Sequence, residues 1–353
     1  MSKNGIIEFI RDFSEGAAMV KMGGKHGFID TAGHEIVPCK YDDAGDFHEG
    51  MAKVEIGHKW GYIDKNGHEV IPCIYNEAYD FSDGLALVYS DSESRRFFID
   101  KSGKDVLPAG IIWDDVFKEG LARITKDGKT GFVNKEGKEV IPCKYDGAAM
   151  FCEGMTSVYE DHILPEDEQT DEIDSYSTIG FIDKAGREVT PCKYDSAGDF
   201  HEGLALVALD GKCGFIDKSG VEVIPLEYDD GSDFQDGLAQ VAIGDDQFFI
   251  DKSGQKVLSL AEHGIVASYD FSEGLASAIV EPGGKHGYMD KTGKLVIPCK
   301  FFEAHVFHDG RARISDGRGG MFFIDRTGRE IDIDIHVADT PEPENPDDDG
   351  MPF

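Results

Sequence analysis

An all-β tandem repeat is the fold class this sequence predicts, and three observations predict it. First, the tetrapeptide Phe-x-(Glu/Asp)-Gly begins at Phe13, Phe47, Phe81, Phe117, Phe151, Phe200, Phe234, Phe271 and Phe307, at intervals of 34, 34, 36, 34, 49, 34, 37 and 36 residues. A fixed period of this length is the mark of a solenoid or propeller. Second, each period holds short runs of alternating apolar and polar residues divided by Gly-bearing turns, the pattern of half-buried strands. Third, 43 of the 353 residues are Gly, which suits many turns rather than long helices.

Residues 47–80 show how one unit is built. Glu49-Gly50 makes a tight turn, with Gly50 free to take positive φ, and Met51-Ala52-Lys53-Val54 follows as a strand. A second strand covers Tyr62-Ile63 and a third covers Glu69-Val70-Ile71. Asp64-Lys65-Asn66-Gly67 between them fits a type I turn closing on a left-handed Gly, a common hairpin connection. Pro72 ends ladder pairing because it has no N–H to donate. Tyr75 through Asp80 reads as a loop or a short outer strand. Each unit is therefore a meander of three or four strands.

The run Lys59-Trp60-Gly61-Tyr62-Ile63-Asp64-Lys65-x-Gly67, followed by Val70-Ile71-Pro72, resembles the bacterial WG-repeat family, named for its Trp-Gly pair. The resemblance covers roughly residues 13–331. It implies a β-rich array used as a binding or accessory module, and it carries over no catalytic residues. The chain departs from the pattern in telling ways. The Trp position holds His26, Thr130, Ile179, Cys213 and His286 in other units, and Phe97, Phe248 and Phe322 replace the Gly.

About eight full units and one partial unit account for residues 1–331, leaving residues 332–353 as an acidic tail. That tail contains Pro341-Glu342-Pro343-Glu344-Asn345-Pro346-Asp347-Asp348-Asp349 and is expected to be disordered, since it cannot bury a core. The array is expected to close like a propeller, with an open β-solenoid as the alternative. The two termini hold complementary fragments, Ile6 to Ile10 and Ala312 to Ile331, that could share one closing sheet. On that reading, removing residues 1–12 should destabilise the ring severely.

With 69 acidic against 35 basic side chains, the net charge is −34. Such a field repels nucleic acid and anionic lipid, so neither is expected as a partner. No apolar run approaches the ~20 residues needed to span a bilayer. The first residues are too short and too charged to read as a secretory signal, and a cytoplasmic location is expected. Seven cysteines without a Cys-x-x-Cys pair are read as reduced thiols, five of them following Pro at Cys39, Cys73, Cys143, Cys192 and Cys299. Buried packing is their expected role. No cofactor or metal is expected, because no His-Glu-x-x-His, zinc spacing, nucleophile elbow or phosphate loop is present.

The Asp that opens each hairpin, such as Asp30, Asp64 and Asp217, is expected to accept backbone N–H bonds rather than bind calcium. The Glu or Asp of Phe-x-(Glu/Asp)-Gly recurs in every copy, as a structural element would. The one long interval holds an acidic insertion near residues 159–178, read as a loop excursion between two strands. Its carboxylates, Glu160, Asp161, Glu166, Asp167, Glu168, Asp171, Glu172 and Asp174, are the candidate partner-binding residues. The function expected is a non-catalytic, monomeric scaffold that presents loops to a protein partner with basic groups. A carbohydrate or small-ligand module is the alternative, and an enzyme with its site in one atypical repeat is a weaker one.

Overall fold

The computed structural model describes residues 7–107, 116–164, 175–318 and 320–331, with the backbone alone for residues 7–10. The expected disorder of residues 332–353 therefore falls outside the described residues. The described chain is all-β apart from one short 3-10 turn, Ala261–His263. It forms nine antiparallel sheets, each made from consecutive strands, in the manner of propeller blades. Two compact units divide at Cys73 and Ile74, and the repeats within each obey the same rules.

The first sheet takes β1 (Ile7–Ile10), β2 (Ala17–Met22), β3 (Lys25–Asp30) and β4 (Glu35–Tyr41) in chain order. The second takes β5 (Asp43–Ala44), β6 (Met51–Ile56), β7 (Lys59–Asp64) and β8 (Glu69–Tyr75). The expected sharing of a sheet by the two termini is not found. β1 pairs with β2, and the ninth sheet draws its four strands from Glu303 to Ile331. Loss of residues 1–12 would remove an edge strand of the first sheet rather than open the last one.

Each turn has a physical cause. At the start of each unit, His48 and Met51 exchange N–H···O bonds of 2.8 and 3.1 Å around Glu49 and Gly50, whose φ angles are 52° and 80°. Two successive positive φ values define a type I′ hairpin turn. The Gly was expected to be left-handed, and the acidic residue before it is left-handed too. All nine acidic residues of this motif have φ between 50° and 57°. A non-Gly residue there costs about 1–2 kcal/mol, so something must hold it. Between β7 and β8 the expected turn is present: Gly67 donates to the Asp64 carbonyl, and Asp64 Oδ1 accepts from the N–H groups of Asn66 and His68, both at 2.9 Å.

The Gly of the Trp-Gly pair is required by close approach. Opposite Gly27, β4 carries two extra residues, because His26 pairs with Tyr41 while Phe28 pairs with Val37. The Pro38-Cys39 bulge presses inward there, and a Cβ on Gly27 would lie 2.5 Å from the Val37 carbonyl oxygen and 2.7 Å from the Cys39 nitrogen. Where Phe97, Phe248 and Phe322 replace the Gly, the Pro-Cys pair is absent as well. Those Phe rings instead pack edge-on against Tyr75, Tyr228 and Phe301, the aromatic that ends the preceding repeat's strand.

Consecutive sheets are joined by a repeating aromatic pair. Phe28 meets Phe47 edge to face at 4.9 Å, and Phe132–Phe151, Phe181–Phe200, Phe215–Phe234 and Tyr288–Phe307 repeat the contact at 4.8–5.2 Å. In these repeats the Phe of Phe-x-(Glu/Asp)-Gly is thus the plug between one sheet and the next. Such offset pairs add about 0.5–1.5 kcal/mol beyond the area they bury.

The five Pro-Cys side chains are half-buried rather than fully buried, and only Cys213 is buried. Each of the five places Sγ 3.5–3.8 Å from a strand carbonyl, as Cys73 does with Val54. Burial, reinforced by nearby Glu160, pushes the Cys192 thiol up to about 11. Because the thiolate is the reactive form, a thiol reagent at pH 8 is expected to modify native protein slowly and all seven sites rapidly after unfolding. Fast labelling of Cys192 in the native state would contradict this.

Candidate partner-binding ribbon

In seven of the nine Phe-x-(Glu/Asp)-Gly turns the acidic residue, Glu15, Asp83, Glu119, Glu153, Glu202, Asp236 or Glu273, grips the next repeat. Glu15 accepts from the N–H groups of Glu49 and Gly50 at 2.7 and 2.9 Å, and its own carbonyl and carboxylate take the Lys65 ammonium. Glu153 does the same with Glu202, Gly203 and Lys218 across the long interval. Glu119 holds Gly154 and Lys184, Glu202 holds Gly237 and Lys252, and Glu273 holds Gly310 and Arg326. Burial raises the Glu15 carboxyl, but the N–H groups of Gly50 and Glu49 and the Lys65 ammonium outweigh it and hold it below the usual range. The grip stabilises the left-handed Glu that the turn strains. These carboxylates are structural, as their recurrence suggested.

A second grip lies at the Tyr-Asp pair after each third strand. Asp42 takes the Lys25 ammonium of its own repeat and the Gly57 N–H of the next. Asp229 takes Lys212 and the Gly244 N–H in the same way. The Asp that opens each hairpin accepts two backbone N–H bonds in its own turn, as at Asp217 with Ser219 and Val221. Most recurring charges are thereby used in building the array. Glu273, His308 and Asp309 are the one group among the described residues whose donor atoms could share a cation, but Glu273 is already occupied by the Gly310 N–H and the other two are exposed.

The fifth repeat differs. A normal hairpin has six rungs, from Met51–Asp64 to Ile56–Lys59. Here the strands Met155–Ile163 and Ser175–Asp183 form nine, ending at Ile163–Ser175. The insertion is therefore in part a strand ribbon, which corrects the reading of 159–163 and 175–178 as loop. Glu160 and Asp161 sit on its first strand, both exposed. Glu166, Asp167, Glu168, Asp171, Glu172 and Asp174 lie outside the described residues.

Cross-strand contacts stiffen the extra rungs. His162 stacks on Tyr176 at 5.0 Å, His162 Nε2 lies 2.8 Å from Thr178 Oγ1, and Ser177 donates to Asp161 Oδ1 at 2.6 Å. Asp161 donates its N–H to Asp146. Ile163 is 81% exposed and Tyr176 is 51% exposed. The candidate site is thus an acidic ribbon with an apolar end, in which Ile163, His162 and Tyr176 join the carboxylates expected from sequence. Residues 159–163 show no apolar–polar alternation that would have marked them, since Glu160, Asp161 and His162 stand together.

Sheets of consecutive antiparallel strands, chained by plugs and grips from one repeat to the next, define a protein of β-propeller type. The WG containing repeat matches at residues 5–25, 27–60, 60–92, 97–129, 131–161, 179–213, 214–245 and 287–317, so the chain belongs to the WG containing repeat family. No curated protein matches it in sequence. Among solved structures, it resembles a crystal structure described as the eukaryotic initiation factor, with TM-score 0.58 and 9% identity over 90% of this chain and 95% of that one. That likeness concerns the fold alone. BamB from Moraxella catarrhalis is similar at TM-score 0.35 and 13% identity, over 78% of this chain and 91% of that one. No helix among the described residues is long and apolar enough to cross a membrane.

Proposed function

We propose that this protein is a non-catalytic, cytoplasmic interaction scaffold that acts as a monomer and uses the ribbon of its fifth repeat to hold a protein partner. The observation that carries this reading is the ribbon itself: three extra rungs, ordered by side-chain contacts, that end in an exposed Ile163 and Tyr176. An exposed apolar patch on a rigid support is a common recognition device. Glu160 and Asp161 beside it favour a partner whose apolar pocket is rimmed by Lys or Arg, with an association that weakens as salt rises.

A lectin-like module would need the same aromatic at one position many times. That position carries His26, Trp60, Arg96, Thr130, Ile179, Cys213, Gln247, His286 and Met321. The test is a double substitution, Ile163→Ser with Tyr176→Ser, with a photo-crosslinker placed at the neighbouring Ser175 in both the intact and the substituted chain. The expected result is loss of a crosslinked partner with the melting temperature unchanged. If the intact and substituted chains yield identical partners, the ribbon is not the recognition surface.

A further inference from the structure

In three repeats a Lys at the start of the second long strand meets a carboxylate seventeen residues later, as Lys25 with Asp42, Lys129 with Asp146 and Lys212 with Asp229. The eighth repeat keeps the cation as Lys285, but seventeen residues later stands Phe302. The same carboxylate also caps a turn N–H fifteen residues further on, at Gly57 and Gly244. Here that turn residue is Gly317, whose N–H bonds to the Ser315 hydroxyl at 3.1 Å while the Phe302 ring lies against it. The repeat has therefore retained its structural role without the acid, and Lys285 is released from its pair.

Lys285 does not stand alone. Together with Lys300 and Arg318 it lines a cleft of about 390 Å³, backed by Phe301 and Phe322. Two carboxylates also line the cleft, Glu330 and Asp316, and Asp316 Oδ1 accepts from the backbone N–H groups of Arg318 and Gly320. Lys300 offers one hydrogen to the Gly328 carbonyl at 3.4 Å and keeps two. Three cations against two carboxylates in one concavity give a locally positive field in a protein whose net charge is −34.

We infer that this cleft binds a phosphomonoester. The two ammonium groups and the guanidinium would take the phosphoryl dianion, with the Arg fork able to engage two oxygens at once. The Phe301–Phe322 wall would take the organic part, and the volume suits a ligand of small-metabolite size.

The experiment is calorimetric titration of the full chain at low salt with inorganic phosphate and with phenyl phosphate. Both should bind, phenyl phosphate at least threefold more tightly because of the wall. Phe302→Asp restores the residue used by other repeats, so it should fold normally, recapture Lys285 and weaken both ligands about tenfold. Lys285→Ala should weaken them similarly, whereas Lys25→Ala, which removes a paired cation elsewhere, should change nothing. Absence of heat at millimolar phosphate, or unaltered binding in both Phe302→Asp and Lys285→Ala, would overturn the assignment. Equal affinity for the two ligands would remove the aromatic wall from it.

Discussion

Replacing Phe151 by Ala is expected to lower the free energy of unfolding by about 3–5 kcal/mol, the usual cost of emptying a large aromatic site. Phe151 is 1% exposed and sits edge-on to Phe132 at 4.9 Å. Around it lie Ile141, Tyr145 and Ile182, contributed by two successive repeats. The sheets on either side are held in place by their own turns and grips, so they cannot collapse to fill the space. The loss should appear in urea unfolding as a lower midpoint with little change in slope. A change below 1 kcal/mol would mean that the aromatic pair is not the main plug between repeats.

Gly131→Ala should be nearly as damaging, at about 3 kcal/mol, which is the upper end of ordinary overpacking. The added methyl would stand 2.5 Å from the Ile141 carbonyl oxygen and 2.6 Å from the Cys143 nitrogen. Both are backbone atoms of the Pro-Cys bulge, so no side-chain rotation can make room. Gly128→Ala is the control. It lies in a turn at φ 75° with nothing within 4 Å of the new methyl, and should cost only about 1 kcal/mol of backbone strain. Equal effects of the two substitutions on the melting temperature would show that close approach is not what selects Gly131.

What the sequence disclosed, it disclosed through local rules. The hairpin Asp64 to Gly67 and the strands beside it follow from turn chemistry within a few residues, and the structure has them where expected. The grip of Glu15 on Gly50 and Lys65 joins residues 35 and 50 positions apart, and no local pattern announces it. The repetition of Glu signalled a structural role, while the left-handed backbone behind that role had no signature, since Glu is not a residue that favours positive φ. The pairing of Gly with Pro-Cys was available in principle, because both disappear together in the repeats of Phe97, Phe248 and Phe322. The ribbon was half legible. Its charge drew attention, but Ile163 and Tyr176 at its end were overlooked because hydrophobic residues in an acidic stretch look like noise until the rungs are seen.

The grips also have a direction. In each described case the carboxylate of one repeat reaches forward to the backbone of the next, never back: Glu15 to Gly50, Glu119 to Gly154, Glu153 to Gly203, Glu273 to Gly310. A chain emerging from the ribosome therefore always carries one strained turn at its growing front, waiting for amides not yet made. Each new repeat relieves the turn before it and creates another. Assembly acquires an arrow that runs with synthesis, and a chain cut short after any repeat ends on an unrelieved turn, whereas one missing its first repeats does not.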